Sequence, residues 1–184
     1  MCTSKGARSL LHLMLYMFLA LGTSTAKADE LVPQWLSNEI YCLARVIYGE
    51  ARGLPEFAQL DVAYSVMNRV ALDRKDFGGN TVCGAAFHVI KRPDGVLVKQ
   101  YTSIEGKLAD AWQPGTTDKE WAAWARSLER AWRVYTGREI PSDIMKDALY
   151  YMNPVNSTKH SIGWFKRNLI PLVWSDKHLF FAER

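Results

Sequence analysis

From Ser37 onward, apolar residues fall at Ile40, Leu43, Ala44 and Ile47, the spacing of one helical face, and Ser37 suits the N-cap of the helix that starts there. Gly53 and Pro55 end that helix. Pro55 and Glu56 then fit the first turn of a second helix, whose apolar face is Leu60, Ala63, Tyr64, Met67 and Val70. A glycine-rich turn, Phe77-Gly78-Gly79-Asn80, leads into Thr81 and a short helix ending near Phe87. Val89-Ile90 and Val96-Leu97-Val98 flank Lys91-Arg92-Pro93-Asp94-Gly95, apolar runs on either side of turn residues, which predicts a β-hairpin.

Farther along, Thr117-x-x-Glu120 is a capping box. Behind it Trp121, Trp124, Ala125, Leu128, Ala131, Trp132 and Tyr135 recur at helical intervals until Gly137. Such an aromatic stripe can serve as a sugar-stacking platform, but this spacing favours core packing. Ile170 to Val173 and His178 to Phe181 enclose Trp174-Ser175-Asp176-Lys177, which predicts a second hairpin. The sum is a mainly α fold (α+β) with small β ribbons, without repeats or linkers after the leader.

The first 28 residues read differently. Lys5 and Arg8 precede an apolar run from Leu10 to Leu21, followed by a small polar stretch ending Ala26-Lys27-Ala28. That order is a signal peptide with cleavage before Asp29, leaving residues 29–184 as a single domain. The run is short for a membrane span, which needs about 20 residues; an uncleaved N-terminal anchor is the alternative, and membrane contact is expected only through this leader. Charge follows the same division. Of 23 basic residues, Lys5, Arg8 and Lys27 lie in the leader, leaving 20 against 19 acidic ones, so the body is nearly neutral and gives no footprint for nucleic acid. Cys2 would leave with the leader. Cys42 and Cys83 then form an even pair in an exported protein, which suggests one disulfide, with two buried free thiols as the alternative.

One residue is out of place. Glu50 sits three residues after Ile47 and seven after Leu43, so its carboxyl projects from the apolar face of the first helix. Burial of that kind disfavours ionisation, and a carboxyl kept protonated near neutral pH can give its proton to a leaving oxygen. An ion pair with Arg45 or Arg52 explains the same residue without chemistry, and sequence physics leaves the two open.

The segment Cys42-Leu-Ala-Arg-Val-Ile-Tyr-Gly-Glu-Ala-Arg-Gly53 resembles the opening motif of the SleB-type cell-wall hydrolases, the spore-cortex-lytic family. The resemblance continues in order through Gln59, Val62-Ala63, Val66-Met67-Asn68-Arg69-Val70, Asn80-Thr-Val-Cys-Gly84, Gln100-Tyr101-Thr102, Ala148-Leu-Tyr-Tyr-Met-Asn-Pro154 and Lys177-His178-Leu179-Phe180-Phe181. It implies a lysozyme- or transglycosylase-like helical catalytic domain that cleaves peptidoglycan, with Glu50 as the catalytic acid, exported to the periplasm or cell exterior. Leu54 stands where relatives of this kind carry an acidic residue, Ala58 replaces a common Gly, and the hairpin around Pro93-Asp94-Gly95 resembles an insertion.

A two-carboxylate glycosidase places its second carboxyl about 5 to 9.5 Å from the first. Glu56, Asp61 and Glu105 are candidates by sequence proximity alone and read more simply as surface or helix-terminal charges. One acid suffices for lytic transglycosylation between N-acetylmuramic acid and N-acetylglucosamine, which needs no activated water. Around it, Gln100 and Thr102 are expected as hydrogen-bonding groups for sugar substituents, Tyr101, Tyr151 and Asn153 as cleft lining, and Tyr48 as cover for the acid. No cofactor and no metal are expected. His88, His160 and His178 form no H-E-x-x-H, so an N-acetylmuramoyl-L-alanine amidase fits poorly. A Cys42 or Cys83 dyad with His160 is weaker still, and a noncatalytic peptidoglycan-binding module is the remaining rival.

Overall fold

A computed structural model of the protein describes residues 37–91, 95–101 and 114–184. All of them belong to one compact unit, Trp35–Arg184; residues 1–28, for which a signal peptide is expected, lie outside the described residues. Five α-helices and five strands are found among those residues: α1 (Asn38–Ala51), α2 (Glu56–Ala71), α3 (Val82–Ala86), β1 (Val89–Lys91), β2 (Leu97–Lys99), α4 (Asp118–Tyr135), β3 (Tyr150–Met152), α5 (Lys159–Asn168), β4 (Leu169–Ser175) and β5 (His178–Glu183). The fold is therefore mixed α and β with small antiparallel sheets. No described helix is long and apolar enough to cross a membrane.

Helix α1 is the hub. Ser37 caps it, its Oγ accepting from Ile40 N at 3.3 Å. Every residue from Cys42 to Tyr48 is buried, because α2, α3 and α4 all pack on it and a helix surrounded by other helices needs no polar face. Glu39, in its first turn, reaches across to α3. There its Oε2 accepts from the backbone N–H groups of Val82 and Cys83, which are otherwise orphaned at a helix start. The Thr81 hydroxyl accepts from Gly84 N at 2.9 Å, and a disulfide joins Cys42 of α1 to Cys83 of α3 with the Cα atoms 5.1 Å apart. Gly78 turns the chain into α3 at φ +95°, and a Cβ there would stand 2.3 Å from the Gly84 carbonyl oxygen, so neither space nor backbone admits another residue.

The capping box of α4 is formed as its sequence predicts, with Glu120 N donating to Thr117 Oγ1 and Thr117 N to the Glu120 carboxylate. The buried face is not the expected one. Trp124 is buried between Tyr41 and Tyr48, at centroid distances of 5.6 and 5.9 Å, whereas Trp121 and Tyr135 are exposed and Trp132 is half-buried. Ser127 and Arg130 take the inward places instead. The Ser127 hydroxyl donates to Ala123 O, and Arg130 Nη1 donates to the Gln59 side-chain oxygen, so both side chains find partners inside, although Arg130 Nε is left without one.

Strands β1 and β2 form the expected antiparallel hairpin, Ile90 opposite Val98, and it is exposed throughout. The C-terminal hairpin is also present, and β3 joins it to give the order β3-β5-β4, with Tyr151 opposite Phe180 and Ser175 opposite His178. Alternation along these strands divides the side chains. Tyr150, Met152, Leu179 and Phe181 pack with Ile162 and Phe165 of α5, while Tyr151 and Phe180 pack with the helical core. Pro171 lies in β4, an edge strand, where a missing N–H is tolerated.

Candidate functional site

Glu50 occupies the last turn of α1, one position before its end, and is half-buried. The complete drying of its carboxyl expected from the helical face is not reached. The two arginines offered as ion-pair partners have other neighbours: the Arg52 guanidinium lies 4.9 Å from the Tyr48 ring centroid and donates to the Tyr48 carbonyl, and that of Arg45 lies over Phe87 at 5.0 Å. The Glu50 carboxylate acts electrostatically on three side chains from distant parts of the chain, Tyr101, Tyr151 and His178. Those three are contiguous, with Tyr151 centred 6.4 Å from Tyr101 and 4.9 Å from His178.

Environment sets their titration. Burial, reinforced by the Glu50 carboxylate, pushes the Tyr151 hydroxyl well above the usual tyrosine range. That hydroxyl is buried and within the carboxylate's influence, yet no hydrogen bond of standard geometry closes on it. Burial likewise raises Tyr101, opposed by the Arg69 cation, and burial depresses His178, opposed by Glu50 and Asp176. At neutral pH the Glu50 side chain therefore faces two protonated tyrosines and a neutral imidazole.

Arg69 of α2 organises one side of this group. Its guanidinium is buried within 5.3 to 5.4 Å of the Phe77, Tyr101 and Tyr150 ring centroids, and it donates to Leu149 O, to Gln100 Oε1 at 3.0 Å and to the Tyr101 hydroxyl at 3.0 Å. Gln100 thus spends its amide on the protein: Oε1 on Arg69 and Nε2 on the Asp76 carbonyl at 3.5 Å. Tyr101 is 2% exposed, so its ring is part of the wall behind Tyr151. Thr102 lies outside the described residues. Asn153 is half-buried, and its Oδ1 accepts from Val155 N, shaping the turn after β3. Tyr48 is buried, its ring packed between Trp124 and the Arg52 guanidinium.

The candidates for a second carboxylate separate clearly. Glu56 is exposed and paired with Arg133 and Arg130, whose hydrogen bonds hold its carboxyl below the usual range. Asp61 is half-buried and accepts from Ser175 Oγ at 2.5 Å, with burial raising its pKa. Glu105 lies outside the described residues. Among the described residues no group of three His, Cys, Asp or Glu side chains is arranged to hold a metal ion. Two surface cavities of about 530 and 550 Å³, one beside Asn68 and Leu149, the other along Leu128 and Trp132, do not include Glu50.

Sequence reasoning missed two members of this site. His178 has a local signal: it stands two residues before Phe180 on a strand and so shares the face of a core residue. Arg69 has none, since its acceptors lie 31 to 80 residues away. Comparison of the chain with protein-family models, with curated proteins and with solved structures finds no match in any of the three.

Proposed function

We propose that the protein cleaves the glycan strand of peptidoglycan between N-acetylmuramic acid and N-acetylglucosamine, by lytic transglycosylation, with Glu50 as general acid and then general base. The observation that carries this reading is one helix-borne carboxyl, half-buried, whose charge is felt by Tyr101, Tyr151 and His178, all from later parts of the chain. The motif resemblance around Gly49-Glu50-Ala51 supports it. So does the Cys42–Cys83 disulfide, which suits an oxidising compartment.

Glu50 gives its proton to the glycosidic oxygen as the C1–O bond breaks, and the departing sugar leaves with a hydroxyl. The resulting carboxylate takes the proton of the muramic acid's own 6-hydroxyl while that oxygen closes on C1. The product is a 1,6-anhydro end, Glu50 finishes protonated, and no water is consumed. Intramolecular attack replaces the positioned water, and hence the second carboxylate, of a hydrolase. The Tyr151 hydroxyl stays protonated throughout and stands ready to donate to the carboxylate formed midway.

The test is digestion of purified sacculi with mass analysis of the fragments. Anhydro-muramic ends are expected. Reducing muramic ends indicate hydrolysis, free stem peptides an amidase, and binding without fragments a noncatalytic module. Glu50→Gln is expected to fold normally and release nothing; substantial turnover by that variant overturns the assignment.

A further inference from the structure

We propose that His178 is a positioning residue for Glu50, acting through the Tyr151 ring against which it packs, an inference that rests on Glu50 being the acid. His178 is 5% exposed, and its Nδ1 is buried with no hydrogen-bond partner. Buried polar atoms left unpaired are rare because each forfeits its hydration. That loss is borne at a ring that braces Tyr151 from the neighbouring strand.

The fold holds His178 in place from two directions. It lies on the middle strand of its sheet, and Tyr151 projects from the neighbouring strand with the two rings 4.9 Å apart. On the other side its cross-strand partner Ser175, only 2% exposed, donates to the Asp61 carboxylate of α2. The strand end that carries the imidazole is thereby fastened to a helix.

The groups facing His178 are Glu50 from α1, Tyr151 from β3 and Asp176 from the β4–β5 turn, with Asp61 of α2 reaching it through Ser175. A neutral ring in this setting fixes the tyrosine without setting a cation beside the acid. A cation there favours the carboxylate and withdraws the proton that Glu50 has to give. His178 therefore supports the acid only while uncharged, and acidification that protonates it converts the support into an ion pair.

The experiment uses the full chain with soluble, uncrosslinked peptidoglycan strands, alongside NMR titration of the Glu50 carboxyl and the His178 ring. His178→Ala, which removes the ring that braces Tyr151, is expected to keep KM and lower kcat roughly ten- to a hundredfold, the scale of a misplaced catalytic group, and His178→Phe, which keeps a neutral ring, to recover most of that loss. The Glu50 titration midpoint should move upward in His178→Ala. In Glu50→Gln, which leaves His178 untouched, the His178 midpoint should move down as the carboxylate's support is lost; this arm serves if His178→Ala does not fold. An unchanged kcat in His178→Ala, or a His178 midpoint unmoved in Glu50→Gln, overturns the inference. Wild-type turnover by Glu50→Gln instead overturns the catalytic reading, and the titrations remain readable.

Discussion

Removing the Cys42–Cys83 cross-link tests the architecture around Glu50, because the loop it closes contains all of α2 and the part of α1 that carries the acid. The sequence separation is 41 residues. Loop-closure entropy of that length amounts to about 4 kcal/mol at about 25 °C. Each kcal/mol is worth about 2 to 4 °C in a domain of this size, so Tm should fall by about 8 to 16 °C on reduction. Thermal unfolding followed by circular dichroism, with and without reductant, measures this without altering a side chain. The Cys42→Ala/Cys83→Ala double variant should melt lower again by a few degrees, since Cys42 is fully buried and its truncation adds a small cavity. A drop on reduction of under about 3 °C, smaller than 1 kcal/mol or so of stability, would refute the reasoning.

Two further outcomes follow from single side chains. Asn68 Nδ2 donates to the carbonyls of both Met145 and Ala148, at 2.8 and 2.9 Å, tying α2 to the segment before β3. Asn68→Ala should therefore cost about 2 to 3 kcal/mol in urea unfolding, and a loss below about 0.5 kcal/mol, the range of neutral surface changes, would show the bridge to be idle. Asp61 has a folded-state pKa raised above 3.8 by burial, so its contribution to stability is full below that pH and is lost as pH rises through the folded value. Asp61→Asn keeps an acceptor for Ser175 and cannot ionise, so its urea midpoint should gain on the wild type between pH 3 and pH 7. Equal pH dependence in the two proteins would remove Asp61 as the cause; the carboxylates of Glu56, Asp76 and Glu183, all held low by arginines, are common to both and cancel.

What could be read from the chain was what local chemistry decides. Ser37, Thr81 and Thr117 announce their helices because a cap needs only the next few N–H groups, and the β1–β2 and β4–β5 hairpins are written in adjacent residues. Strand β3 escaped notice because its partner, β5, lies far along the chain, and α5 because it is polar, holds Gly163 and has no fully buried residue. The aromatic stripe of α4 misled for a specific reason: Ser127 and Arg130 find partners inside, so polar character did not mean exposure. At the site, Glu50 was conspicuous because a carboxyl interrupts an apolar face. The roles of Gln100 and His178 depend on Arg69 and Tyr151, brought near only by the fold.

The sheet has its middle strand later in the chain than either flank. A growing or truncated chain lacking residues 178–183 leaves Tyr150 to Met152 and Leu169 to Ser175 with no strand to bridge them, and Glu50 with no imidazole opposite it. The group of side chains around Glu50 is therefore complete only once that middle strand has taken its place between its two neighbours.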